Sequence, residues 1–137
     1  MKIVIDTNVV ISAVFFGGNP QKILEAVLDG FFHAFATPAI IEEYCVIVDE
    51  MVKRKQGRLN HRILTPLIEK LSVIETVSSI KISRDPDDDK FIECAIDAGA
   101  IYIISGDRDL LDIGEYKGVQ IITAQEFCKK YLCKAVR

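Results

Sequence analysis

Apolar and polar positions along this chain fall into blocks that switch between two periods. Ile3-Val4-Ile5 is an unbroken run of β-branched residues, which predicts a central strand buried on both faces. The same pattern predicts strands over Phe32–Ala36, Val73–Val77, Ile101–Ile104 and Val119–Ile122. Helical spacing fills the intervals. Asn19-Pro20 gives an N-cap with proline at the first helical position, ahead of Ile23, Leu24, Val27 and Leu28, and Gly30 ends that helix. Thr37-Pro38 repeats the signal ahead of Ile40, Ile41, Tyr44 and Val48. A further helix is expected from Asn60 to about Leu71, with Pro66 either in its first turn or at a boundary. Phe91, Ile92, Ala95 and Ile96 form another helical face ending at Gly99, and Thr123 with Glu126 has capping-box spacing at the start of a last helix. Gly17-Gly18-Asn19, Gln56-Gly57 and the segment Ser83 to Asp88 read as loops or breaks.

Apolar strands separated by helices predict an α/β fold: three layers, α/β/α, around a five-stranded parallel sheet. The 137 residues suit one domain spanning 1–137, and the 50% hydrophobic content suffices for its core. The apolar stretch Val9 to Phe16 is too short to span a membrane, and Asp6 interrupts the N-terminal run before it reaches signal-peptide length. A soluble cytoplasmic protein without membrane partners is the expectation. The four cysteines, Cys45, Cys94, Cys128 and Cys133, form no CxxC pair, and no histidine stands at zinc-ligand spacing to them. They are expected to be reduced, mostly buried thiols.

The candidate chemistry lies in the acids. Ligands of open parallel sheets bind beyond the carboxyl ends of the strands, and Asp6 and Asp107 both lie just past such ends. Asp6-Thr7-Asn8 is a short polar corner in which the aspartate can bind a cation while Thr7 and Asn8 supply hydrogen bonds. A capped turn would use the same residues. Glu42 and Glu43 point about 100° apart on a helix, so only one can face a site. Glu43 shares its face with Ile40 and Ile47 and is the candidate. The run Asp85-Pro86-Asp87-Asp88-Asp89 holds more acids than one helix cap needs. Asp89 is favoured as the site residue and Asp88 is its main competitor. Ser105-Gly106-Asp107-Arg108-Asp109 follows the fourth strand, with Asp109 a further candidate and Arg108 placed to meet phosphate or its neighbouring acids. Clustered carboxylates repel one another unless a cation neutralises them, and divalent-metal catalysis on a phosphate ester calls for such a cluster.

Charge changes the picture in two ways. The net charge of −3 argues against a nucleic-acid partner, yet two divalent cations would cancel the four acids at the proposed site. Lys53, Arg54, Lys55, Arg58 and Arg62 form a basic block without an intervening acid, which reads as a solvated face, a surface for an RNA backbone or one for an acidic protein.

Four segments together resemble the PIN-domain nucleases, the group that includes VapC-type toxins of toxin–antitoxin pairs. They are Val4-Ile5-Asp6-Thr7-Asn8, Thr37-Pro38-Ala39-Ile40-Ile41-Glu42-Glu43, Asp89-Lys90-Phe91-Ile92-Glu93-Cys94-Ala95 and Ser105-Gly106-Asp107-Arg108-Asp109-Leu110-Leu111. The resemblance covers nearly the whole chain and is nearest to the toxin-component branch. It implies a ribonuclease that uses Mg²⁺ or Mn²⁺ to hydrolyse phosphodiester bonds in single-stranded RNA. The implied catalytic and metal-binding set is Asp6, Glu43, Asp89 and Asp107, with Asp109 less securely placed and Thr7, Asn8 and Ser105 as supporting polar residues. It further implies a homodimer or higher homo-oligomer and, for a toxin, a small antitoxin protein that occupies the groove. Asp6, on the central strand, is the expected bridge if two cations bind.

Three other readings compete. A haloacid-dehalogenase-like phosphatase would need an aspartate two residues after Asp6, where Asn8 stands. A receiver domain would want an aspartate after the third strand and a lysine after the fifth, and neither is evident. A catalytically inactive PIN scaffold that binds RNA or a partner is the non-enzymatic alternative. His33 and His61 are isolated, which disfavours a histidine-based, metal-free ribonuclease.

Overall fold

A computed structural model describes residues 1–55, 63–77, 79, 81–83 and 85–132, with only the backbone of Lys55. The strands are β1 (Lys2–Ile5), β2 (His33–Ala36), β3 (Ser72–Val73), β4 (Tyr102–Ile104), β5 (Glu115–Tyr116) and β6 (Val119–Ile122). They form one sheet in the order β3-β2-β1-β4-β6-β5. The first five strands of that order run parallel, and β5 pairs antiparallel with β6 at the edge. Five parallel strands were expected, and the short hairpin strand β5 adds a sixth. Its turn, Lys117-Gly118, takes positive φ at both residues, 50° and 86°, the geometry that two-residue hairpins favour. At two residues, β5 is too short to leave a period in the sequence. The third strand, expected over Val73–Val77, spans Ser72–Val73, which pair with Phe35 and Ala36 of β2.

Ile3, Val4 and Ile5 are all buried. Successive strand residues face opposite sides of a sheet, so β1 is covered on both. Helix α5 (Asp89–Ala98) packs on β1, β2, β4 and β6. Helices α1 (Thr7–Phe16), α2 (Gly18–Leu28), α3 (Pro38–Lys55), α4 (Leu64–Lys70) and α7 (Ala124–Tyr131) form a second contiguous group, linked by α1–α2, α1–α3, α2–α4 and α2–α7 contacts. The short α6 (Arg108–Ile113) lies on β6.

Helix α1 absorbs the apolar stretch Val9 to Phe16. Its Val9, Val10, Ile11, Ala13 and Val14 are all buried. Only Asn8 and Ser12, one turn apart, give it a polar strip, so little amphipathic period is left to read. Gly17, at φ 72°, then turns the chain directly into α2, which begins at Gly18 rather than at the expected Asn19-Pro20 cap. Pro66 falls in the first turn of α4, where its missing N–H leaves no helical bond unmade. The expected residues 60–62 of that helix lie outside the described residues. Cys94 and Cys128 are buried and Cys45 is half-buried, with the Cys128 thiol donating to the Asn19 carbonyl at 3.5 Å, while Cys133 and His61 lie outside the described residues. Among the described residues no helix is long and apolar enough to cross a membrane.

Candidate active site

The strand order places β1 and β4 side by side, with the chain continuing outward to β2 and β3 on one side and to β6 on the other. Such a switch point opens a crevice at the carboxyl ends of the strands. Ile5 and Ile104 are register partners, so the next residues, Asp6 and Ser105, emerge together. The Asp6 N–H donates to the Ile104 carbonyl at 2.9 Å, and Ser105 Oγ donates to Asp6 Oδ2 at 2.7 Å. Ser105 Oγ also accepts from the Asp107 N–H at 2.9 Å. One buried hydroxyl therefore sets the relation of two carboxylates. Asp6 is the N-cap residue of α1, but its side chain makes no capping bond. The corner is built around the crevice and not around the helix end.

Glu43, from the second turn of α3, reaches the same region. Thr7 Oγ1 donates to Glu43 Oε2, and Lys90 Nζ pairs with Glu43 Oε1. Beside Glu43, the Tyr44 hydroxyl donates to the Ile5 carbonyl and ties α3 to the end of β1. Glu42 is exposed, as its angle on the helix requires.

The acidic run resolves differently from expectation. Pro86–Asp88 forms a 3₁₀ turn ahead of α5, and the Asp85 carboxylate accepts from the Asp87 N–H at 3.0 Å as its cap. Asp89 Oδ1 accepts from the backbone N–H groups of Ser83 at 2.8 Å and Ile82 at 3.3 Å. It anchors the incoming segment. Asp88 instead enters the acidic group: carboxylate oxygens of Asp88, Asp107 and Asp109 all lie within 4.8 Å of one another. Asp88 is only 8% exposed, and its Oδ2 is buried without a hydrogen-bond partner among the described residues. Asp107 also caps α6, its Oδ1 accepting from the Asp109 N–H at 3.1 Å. The structure thus groups Asp6, Glu43, Asp88, Asp107 and Asp109 and turns the Asp89 carboxylate to the backbone of residues 82–83.

Electrostatics reflect the crowding. Burial pushes the Asp6 carboxyl up from 3.8 to about 6, partly opposed by the Ser105 hydrogen bond and reinforced by the charges of Asp107 and Glu43. Burial pushes Asp88 up to about 8, followed by its hydrogen bond to Asp107 and by the charges of Asp107, Asp6 and Asp85. Both folded values exceed the unfolded one. The stability these groups contribute is therefore complete below pH 4 and is lost as pH rises through about 6 for Asp6 and about 8 for Asp88. The melting temperature of protein held in EDTA should accordingly fall between pH 5 and pH 9. A level or rising profile across that window would contradict this account of the cluster.

Of the other expected residues, Asn8 is exposed beside Asp6 and lines a cleft of about 270 Å³ with Ser12, Ser105, Gly106 and Thr123. Arg108 is exposed at the start of α6. Lys53 and Arg54 are exposed in the last turn of α3, about 15 Å along the helix axis from Glu43. Lys53 pairs with Asp49 at 3.3 Å, so an acid from the preceding turn interrupts the basic block in space. The side chains of Lys55, Arg58 and Arg62 lie outside what the structure describes. The residue that the sequence reading missed is Lys90. A cation in the first turn of a helix opposes the helix dipole, and that local conflict was the signal available.

The PIN-domain family model matches residues 2–109, a span that contains every acid of the cluster. The chain belongs to the PIN-domain family. This family forms a nuclease superfamily whose members generally hydrolyse nucleic acid and usually use divalent metals. The PIN chain is 34% identical to the uncharacterized protein MJ1680 of Methanocaldococcus jannaschii, over 82% of its own length and 75% of that protein's. Its fold is similar to the crystal structure of PAE2754 from Pyrobaculum aerophilum, with a TM-score of 0.61 at 14% identity, covering 95% of this chain and 88% of that one.

Proposed function

We propose that this PIN domain is a divalent-metal-dependent endoribonuclease acting on single-stranded RNA, with Asp6, Glu43, Asp88, Asp107 and Asp109 as its metal-binding acids. The observation that carries the reading is the buried, unpartnered Oδ2 of Asp88 beside Asp107 and Asp109. A buried carboxylate oxygen without a donor is costly unless a cation completes it. The donor set fits Mg²⁺ or Mn²⁺, because it consists of hard carboxylate oxygens with no sulfur or imidazole among them. A cation bound there supplies positive charge to a phosphodiester and makes a bound water more acidic.

The chain's own residues do the rest. Ser105 holds Asp6 and the Asp107 backbone in one arrangement, so the central ligand needs no reorganisation. Thr7 orients Glu43. Asp88 holds a proton near neutral pH and must release it when a cation binds, so binding should release protons and strengthen as pH rises. Asn8 and the neutral cleft beside it offer hydrogen bonds to an RNA strand without adding negative charge. The toxin role, an antitoxin partner and homo-oligomer assembly rest on the sequence resemblance.

The test is cleavage of a fluorophore-labelled single-stranded RNA under Mn²⁺ or Mg²⁺ titration. Activity should rise with the cation, vanish in EDTA and return on its replacement. Cleavage that is unaffected by EDTA, or none at any cation concentration, would refute the proposal.

A further inference from the structure

Most of helix α1 is buried, and its polar side chains after Thr7 are Asn8 and Ser12. Their i, i+4 spacing puts both on one face of the helix. That face opens on the cleft of about 270 Å³. Neither the Asn8 amide nor the Ser12 hydroxyl has a hydrogen-bond partner among the described residues. Val9, Pro20 and Ala124 give the cleft apolar walls. Gly106 leaves it open, since a Cβ there would meet no atom within 4 Å beyond its chain neighbours. Ser105 and Thr123 complete the lining. The Ser105 hydroxyl also holds Asp6, so the cleft and the acidic group share a wall. The Thr123 hydroxyl is occupied by its capping box with Glu126.

An RNA strand carries two kinds of group past such a centre. A phosphate seeks cations. Among the described residues no charged side chain lines this cleft, and carboxylates, those of Asp6 and Glu126, are bonded to two of its walls. A nucleobase is neutral, with apolar faces and a polar edge, and unstacked bases of single strands are recognised through both. Apolar walls around an unengaged amide and hydroxyl match that chemistry. Resting on the nuclease reading, we infer that this cleft seats one nucleobase flanking the scissile phosphate and that Asn8 reads its edge. The Asn8 amide carries donors and an acceptor side by side, as base edges do. Asn8 is thereby a specificity-determining residue, and cuts should fall at a fixed offset from a preferred base.

The test pairs changes in the protein with changes in the substrate, using Mn²⁺ and a short labelled RNA whose cut site has been mapped. An abasic ribose replaces each nucleotide flanking the cut in turn. In wild type, one of these positions should raise KM about tenfold, the loss of one seated base, with kcat changed less. Asn8→Ala removes the edge contact, and Ser12→Leu fills the cleft from the helix. Both should raise KM for the intact RNA, and in both the abasic ribose at that position should cost less than about twofold, because the contact is already gone. Asn8 is exposed and Ser12 partly exposed, so both variants should fold, which thermal melts verify. No position-specific cost in wild type, the same cost in wild type and both variants, or a fall in kcat with KM unchanged would overturn the base seat and leave the nuclease reading standing. Wild type that cuts no RNA in Mn²⁺ would remove the nuclease reading and this inference together.

Discussion

Asp88→Asn is expected to lower RNA cleavage at least about 100-fold, the cost of losing one preorganised charged group at a reacting centre, whereas Asp89→Asn should leave activity within about threefold of wild type. The two residues are adjacent and chemically identical, so the contrast isolates geometry. Asp88 places a carboxylate oxygen within 4.8 Å of one each from Asp107 and Asp109, and its Oδ2 is buried with no hydrogen-bond partner among the described residues. Asp89 already accepts two backbone N–H groups from residues 82–83. An asparagine at position 89 retains an acceptor oxygen for that segment. Asp89→Ala does not, and it should lose about 1–3 kcal/mol of stability through the unpaired backbone donors. Cleavage kinetics and denaturant melts of the three variants check this directly. An inactive Asp89→Asn beside an active Asp88→Asn would return the assignment to the residue that the sequence favours.

Asp6→Asn should produce the largest divergence between activity and stability. Cleavage should fall by about three orders of magnitude, since Asp6 stands at the end of the central strand with its carboxylate fixed by the buried Ser105 hydroxyl. The metal-free protein should nevertheless become more stable at pH 8. Ionised Asp6 is 3% exposed, and its pKa near 6 means that charging it opposes folding by on the order of 3 kcal/mol. Asparagine removes that charge and can still accept from Ser105. The gain should shrink towards zero near pH 4, where the wild-type carboxyl is also protonated. Melts in EDTA at pH 4 and pH 8 test this, and a variant destabilised equally at both would show that Asp6 serves packing and not a charged site.

Much of the architecture was legible because it follows from local pattern. The run Ile3 to Ile5 admits little but a strand covered on both faces, and Thr37-Pro38 and Thr123–Glu126 announce their helices through caps that the structure contains. Helix α1 was harder to read, since a helix with only Asn8 and Ser12 as its polar strip gives little contrast to mark its period. The start of α2 was missed because two glycines at positive φ permit a sharp turn where a loop is otherwise expected. The edge strand β5 is held by its pairing with β6, which a local pattern does not record.

The candidate site divides in the same way. Asp6 and Asp107 could be paired in advance, because parallel strands deliver their carboxyl ends to one edge. Glu43 followed from its helix face and the family resemblance. The choice between Asp88 and Asp89 lay beyond the sequence. Adjacent residues point in different directions, and the 3₁₀ turn together with the backbone of residues 82–83 determines which carboxylate is engaged locally and which is left for the crevice. The pairing of Lys90 with Glu43 joins residues 47 positions apart. By itself the sequence determined the fold class and the edge of the sheet where acids gather, since those follow from period, capping and the parallel run of the strands, and it carried the family in four motif segments. Only the tertiary structure decided which acids meet, which are spent on the backbone and which lysine answers them, because side-chain direction depends on how separate elements pack.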